Sequence, residues 1–275
     1  MLTIKNIVVA TDFSNDSAVA YRYARHLAAR FGAVLRVVHI YQMPTEALRS
    51  DSIDYTLPSI GEWEEWASDR LNHFINEASN GGGDIMVSTQ NRVKREVRAG
   101  FVIPEIIALS KEPETDLLIL GSAGSNSALD RWLGSTAVDV AQKAFCPVIL
   151  VPKKADYRGI HHILYTASEA SAEPMVIRKS LDFAKYFNAA VHFVHFAKSK
   201  DTDFDEEMKF KQVVERQVAL TPYTVETFWA KDAPKGVADY SQKNDIDLLV
   251  AVTHHRDFLN SFFHHSITRD LAWEA

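Results

Sequence analysis

Along the chain, short apolar runs rich in β-branched residues alternate with longer segments whose apolar positions recur every three to four residues. Residues 7–11 form the first run. Residues 16–30 follow with Ala20, Tyr23, Ala24 and Leu27 on one stripe and Gly32 near the end, the pattern of an amphipathic helix. Residues 34–40 read as the next strand, and 62–80 as a helix stopped by Gly81, Gly82 and Gly83. Further strands are predicted at 91–97, 117–120 and 148–151, with helices at 103–111 and 138–144 between them. Near-continuous apolar strands separated by helices are what a parallel sheet requires, because helical crossovers cover both of its faces. The expected fold class is therefore α/β, doubly wound.

After a polar stretch at 153–159 the pattern restarts. A strand at 163–167 repeats the first. The run AVLRVVHI from Ala33 and the run AAVHFVHF from Ala189 match at a spacing of 156, and DLLIL from Asp116 matches DLLVA from Asp247 at a spacing of 131. Two copies of one unit account for this, the second with a shorter middle. The expected domains are 1–152 and 158–275. A counterpart of the strand at 148–151 would fall at 279–282, past Ala275, so the second domain is expected to lack its last strand.

The strongest candidate chemistry lies between Asp116 and Thr136. The apolar strand at 117–120 ends abruptly at Gly121, Gly124 and Gly134 punctuate the loop, and Ser135 and Thr136 open the next helix. A helix start directs backbone N–H groups outward and its dipole favours negative charge, while glycine lets a ligand approach the main chain. The competing reading is a tight turn alone. A P-loop is absent, and Ala10, Thr11, Asp12, Phe13 and Ser14 stand where a dinucleotide fingerprint would follow the first strand. The spacing is instead Gly-x2-Gly-x9-Gly-Ser/Thr.

Bulk properties narrow the choice. The 275 residues are 47% apolar and 24% charged with a net charge of −6, which suits a globular protein and argues against nucleic acid or an anionic membrane as partner. No apolar run approaches the roughly 20 residues that span a bilayer, and the N-terminus reads as a strand rather than a leader. A cytoplasmic location is expected. Cys146, the one cysteine, sits in an apolar run and is expected to be buried and inert. Arg92, Lys94, Arg95 and Arg98 read as a solvated strand face.

The chain resembles the universal stress protein family, as a tandem of two such domains. The resemblance rests on the run from Ile7 to Ser14 (IVVATDFS), on Val37–Ile40, on Gly121–Gly124, on Leu133–Thr136 and on CPVILV from Cys146. It implies a parallel sheet of order 3-2-1-4-5 and ATP at the carboxyl ends of the strands. It also implies roles. Gly121 and Gly124 would let the loop approach ribose and phosphates, and Gly134, Ser135 and Thr136 would cradle phosphate oxygens. Asp12, flanked by Ala10 and Thr11, would approach the ribose–phosphate region or hold Mg²⁺; its alternative role is a helix cap. Ile40 would contact the adenine edge, and Leu120 would line its pocket. Family members commonly carry histidine and a basic residue where Ala123 and Ser125 stand, so the resemblance implies ATP binding of modest strength.

At the matching positions of the second copy, Val252, His255 and His265 replace the three glycines and Ser168 replaces Asp12, so no nucleotide is expected there. His255 and His265, with neighbouring His254 and His264, are the candidate metal ligands, with a partner-binding or packed surface as the favoured alternative. His39 and His195 at equivalent strand ends read as structural. No catalytic constellation is visible. Three functions follow: a cytoplasmic ATP-binding stress-response regulator, a nucleotide-independent binding or scaffold protein, or a slow ATPase or autophosphorylating protein using serines such as Ser122 and Ser135. The family resemblance also implies pairing through Val148–Val151, as a homodimer or between the two domains.

Overall fold

The computed structural model describes residues 2–42, 59–80, 92–122, 134–167, 173–197, 204–217 and 221–251. They fall into two compact units, Ile4–Asp156 and Tyr157–Ala275, the latter joined by Met1–Thr3. The first unit runs β1 (Asn6–Thr11), α1 (Asn15–Phe31), β2 (Val34–Tyr41), α2 (Ile60–Asn80), β3 (Val93–Ala99), α3 (Val102–Leu109), β4 (Leu117–Gly121), α4 (Ser135–Lys143) and β5 (Val148–Val151). Its five strands are all parallel in the order β3-β2-β1-β4-β5. The second unit runs β6 (His162–Ala167), α5 (Pro174–Phe187), β7 (Ala190–Ala197), α6 (Phe204–Glu215), β8 (Tyr223–Trp229), α7 (Ala233–Lys243) and β9 (Leu248–Ala251). Its four described strands are parallel in the order β8-β7-β6-β9, which repeats the first four of the other sheet. Residues 252–275, where any further strand would fall, lie outside the described residues.

Strand alternation divides the first sheet between two helical layers. Val8, Val38, Ile40, Leu118 and Leu120 pack with Ile106 and Leu109 of α3 and Val140 of α4, and Ala10 lies against this cluster. Helices α1 and α2 cover the other face. On α1 the core residue is Tyr21 rather than Tyr23, because the Tyr21 hydroxyl reaches Ser79 Oγ of α2 at 3.1 Å and its ring packs on Phe74. Helix α2 starts at Ile60, earlier than the apolar period suggests. Ser59 N–H donates to Glu62 Oε2 at 2.6 Å and Glu62 N–H donates to Ser59 Oγ at 3.3 Å, a reciprocal cap that sets the start.

The two units also repeat each other in hydrogen bonding. Helices α1 and α5 end on left-handed residues, Gly32 at φ 66° and Asn188 at φ 56°, whose N–H groups return to the last turn. Asp116 Oδ2 accepts from the N–H groups of Lys5 and Asn6 at 2.8 and 2.9 Å. Asp247 Oδ2 accepts from those of His161 and His162 at 2.7 and 2.9 Å. Each aspartate therefore satisfies the donors entering the central strand from the neighbouring chain crossing, which explains why this residue heads the matching DLL runs.

Candidate functional site

Strand order reverses direction between β1 and β4, so the carboxyl ends of these strands diverge into a crevice. The predicted residues that the structure describes gather there. Ala10, Ile40 and Leu120 share the apolar layer under α3 and α4, Ile40 and Leu120 being buried and Ala10 half-buried. This gives an apolar floor at the strand ends, as an adenine pocket needs, and also serves as ordinary core.

Gly134 is the N-cap of α4, with extended backbone and no side-chain cap, and its N–H donates to Ser122 O at 2.7 Å. Helix α4 starts at Ser135, earlier than the apolar period suggested, because Ser135 and Thr136 carry no hydrophobic signal. Ser135 is exposed and Thr136 half-buried. The first N–H groups of α4 have no acidic residue in the first turn to compete for them. Gly124, Ala123, Ser125 and the rest of 123–133 lie outside the described residues, as do Ser168, Val252, His255 and His265. Among the described residues, no group of three or more His, Cys, Asp or Glu side chains is arranged to hold a metal.

Gly121 has a second reason to be glycine. A Cβ there would lie 3.1 Å from Asp16 O and 3.2 Å from its carbonyl carbon, so the bare Cα lets the first turn of α1 lie against β4. Thr11 is likewise occupied by the protein. Its hydroxyl lies 2.9 Å from Ser17 Oγ and accepts from Phe13 N–H at 3.0 Å, and its carbonyl accepts from His39 Nδ1 at 2.8 Å. Asp12 is exposed and its Oδ1 accepts from Ser14 N–H at 3.0 Å, while Ser14 Oγ accepts from Ser17 N–H as the cap of α1. Asp12 thus supports the capping residue rather than capping the helix itself.

Two features of this crevice were not foreseen from the sequence. Phe13 adopts φ 65°, in the left-handed region that a bulky residue rarely enters, and stacks on His39 with ring centroids 4.0 Å apart. The Arg70 guanidinium lies 5.1 Å from the Phe13 ring centroid and 5.2 Å from that of Trp66, holding the turn to α2. Burial, with Arg70 adding to it, holds the His39 imidazole below its ordinary value, and the hydrogen bond to Thr11 O only partly opposes this. His39 is thus a neutral structural group whose Nδ1 carries the proton, since a carbonyl only accepts. Asp16 is the second feature. Burial raises its carboxyl above the ordinary range despite Lys153 Nζ at 3.8 Å, and Asp12 adds to the rise. Neither left a signal in the apolar period.

The remaining expectations resolve simply. The half-buried Cys146 thiol is pushed up by burial to about 11, which keeps it protonated and unreactive. The basic strand face is only partly solvated. Arg98 donates to Glu96 and to Glu112, the latter at 2.7 Å, and Arg92 donates to Gly32 O at 2.6 Å. His195 is buried beside Phe210, a structural residue as expected.

Comparison with known proteins places this geometry. Residues 3–152 match the sequence profile of the Universal stress protein family. The chain belongs to the universal stress protein family. A universal stress protein of Methanocaldococcus jannaschii is 28% identical over 149 residues, covering 54% of this chain and 82% of that protein. A universal stress protein structure from Archaeoglobus fulgidus covers 95% of this chain and 96% of its own, with a TM-score of 0.59 and 16% identity. That likeness extends the family fold over both units. Solved family members include a nucleotide complex: an Archaeoglobus fulgidus protein determined with dAMP is 22% identical, covers 55% of this chain and 98% of its own, and has a TM-score of 0.33. Among the described residues no helix is long and apolar enough to cross a membrane.

Proposed function

We propose that this member of the family is a cytoplasmic, non-enzymatic regulator that binds ATP in its first unit. The observation that carries the reading is the start of α4 at the β1–β4 switch point, a helix N-terminus without a side-chain cap that is tied to Ser122 and preceded by the glycine spacing. Gly134, Ser135 and Thr136 would hold phosphate oxygens through N–H and hydroxyl groups. Gly121 and Gly124 would pass ribose and phosphates close to the backbone, with Ala10, Ile40 and Leu120 against the base. Asp12 would face the ribose–phosphate region or hold Mg²⁺, with Thr11 fixing the turn beside it. Occupancy is the regulatory variable, since a ligand at 100 times its dissociation constant stabilises the binding state by ~2.7 kcal/mol.

Denaturing the freshly purified chain and separating released nucleotides by chromatography tests this directly. The expected result is an adenine nucleotide near stoichiometry with one site, lost in Gly124→Val. Calorimetric titration of stripped protein should give micromolar-to-millimolar ATP binding with a matching thermal shift. No heat and no shift would sink the reading.

The nucleotide-independent scaffold is favoured by one observation: the bare Cα of Gly121 is already required by α1. Normal partner capture by Gly124→Val protein, with no nucleotide in the wild type, would select it. Timed conversion of ATP, with Asp12→Ala beside it, tests for a slow ATPase or autophosphorylation, and no turnover above background is expected.

A further inference from the structure

The strand registers make the two units comparable residue by residue. Val8 pairs with Arg36 in the first sheet and Leu164 with His192 in the second, so Arg36 and His192 are equivalent. Val38 pairs with Glu96 and Val194 with Glu226, so those glutamates are equivalent too. His162 likewise takes the place of Asn6.

In the first unit this layer is locked by permanent charges. Arg36 lies 2.6 Å from Glu112 and 3.5 Å from Glu96, and Arg98 lies 2.7 Å from Glu112. In the second unit a chain without an arginine replaces it. Tyr240 O–H of α7 donates to Glu226 Oε1 of β8, which accepts only. The Tyr240 oxygen must therefore accept from His192 Nδ1–H, at 3.1 Å. That leaves His192 Nε2 as the acceptor for His162 Nδ1–H, at 3.2 Å. Each tautomer is forced by the carboxylate at the end.

A proton taken up at His192 Nε2 turns this acceptor into a donor that faces another donor. The link then survives only if His162 moves its own proton to Nε2, and the cation sits half-buried beside the Tyr240 ring. A carboxylate–arginine lock has no such state between neutral pH and the carboxylate range.

We propose that the His162–His192–Tyr240–Glu226 relay makes the second unit acid-sensitive: a proton taken up at His192 Nε2 sets donor against donor between β6 and β7 and weakens the unit in mildly acidic solution, where the Arg36–Glu112 pair of the first unit is unchanged. Among the described residues, the charged and titratable groups facing the pair are Glu226 from β8, Tyr240 from α7, and Asp247, which accepts from the His161 and His162 N–H groups and lies 3.7 Å from His161 Nδ1. Glu226 favours a proton on His192. Burial and the neighbouring His162 outweigh it and hold His192 below its ordinary value of 6.5. The folded unit thus takes up fewer protons here than the unfolded chain does. Its stability is complete above pH 6.5 and declines as pH falls through the depressed value.

Hydrogen exchange of the full chain, in chelator-containing buffer at pH 7.5 and 5.5 and corrected for intrinsic rates, tests the proposal. Wild-type peptides covering 190–197 and 223–243 are expected to lose protection between pH 7.5 and pH 5.5. His192→Gln keeps one donor and one acceptor but cannot titrate, so its acid response should be flat. His162→Asn, which installs the first unit's residue, should also blunt the response and serves if the glutamine variant does not fold. An unchanged acid response in the variant that folds would overturn the proposal. So would an NMR titration midpoint for wild-type His192 at or above 6.5. None of these outcomes depends on nucleotide binding.

Discussion

Single residues at the crevice carry two kinds of constraint, and Gly121 separates them. Its backbone lies against the carbonyl of Asp16, so a methyl group at this position must push α1 away from β4. Gly121→Ala is expected to destabilise the chain by about 1–3 kcal/mol in urea unfolding without nucleotide, the usual cost of overpacking. A variant as stable as the wild type would return Gly121 to a purely ligand-facing role. Gly124→Val supplies the contrast, because its loss is expected in binding rather than in unfolding. Asp12 and Thr11 show how a turn residue is divided between tasks. Thr11 is bonded through its hydroxyl and carbonyl, whereas the Asp12 carboxylate is exposed while it supports Ser14.

Among the elements, the sheet layer joining β2, β3 and α3 gives the first unit a carboxylate response to acid, beside that of its buried His39. Burial pushes the Glu112 carboxyl up, but the hydrogen bonds from Arg98 and Arg36 outweigh it and hold the group below its ordinary value of 4.5. A lowered carboxyl contributes stability that is present above the ordinary value and lost as pH falls through the lowered one. Glu112→Gln is therefore expected to lower the urea midpoint at pH 7, with the difference from wild type closing below pH 4.5 as the wild-type carboxyl protonates. A constant difference across that range would show that packing, not charge, holds the layer. The helix starts follow a similar division. The start of α2 is set by Ser59 and Glu62, residues that a capping reading of the sequence contains. The start of α4 is marked in the sequence by Gly134, Ser135 and Thr136, and the structure adds the bond from Gly134 back to Ser122.

For the whole molecule, the order of strands leaves β5 at one edge of the first sheet, hydrogen-bonded to β4 on one side. An edge of unpaired N–H and C=O groups is a template for another strand. We propose that it pairs in a homodimer. Sedimentation velocity over a wide concentration range is expected to show a dimer, and a monomer throughout would remove the proposal. The fold itself was readable from the sequence because alternating apolar runs and helical stripes dictate which face of each element is buried. The repeat then identified equivalent positions, including the aspartates at 116 and 247. The candidate site was readable in its glycines and in Ser135 and Thr136, where residue type and spacing bear directly on backbone approach.

What remained hidden depends on partners distant in sequence. Tyr21 displaces Tyr23 from the core only because Ser79 and Phe74 meet it from α2. Phe13 tolerates its backbone conformation where His39 and Arg70 receive its ring. His192 becomes the centre of a relay once β8 and α7 bring Glu226 and Tyr240 to it. The sequence by itself determined the order of elements, the direction of burial and the repeat, since these follow from local periodicity. Tertiary structure alone decided which side chains face one another, because strand register and helix docking bring together residues that no local pattern relates.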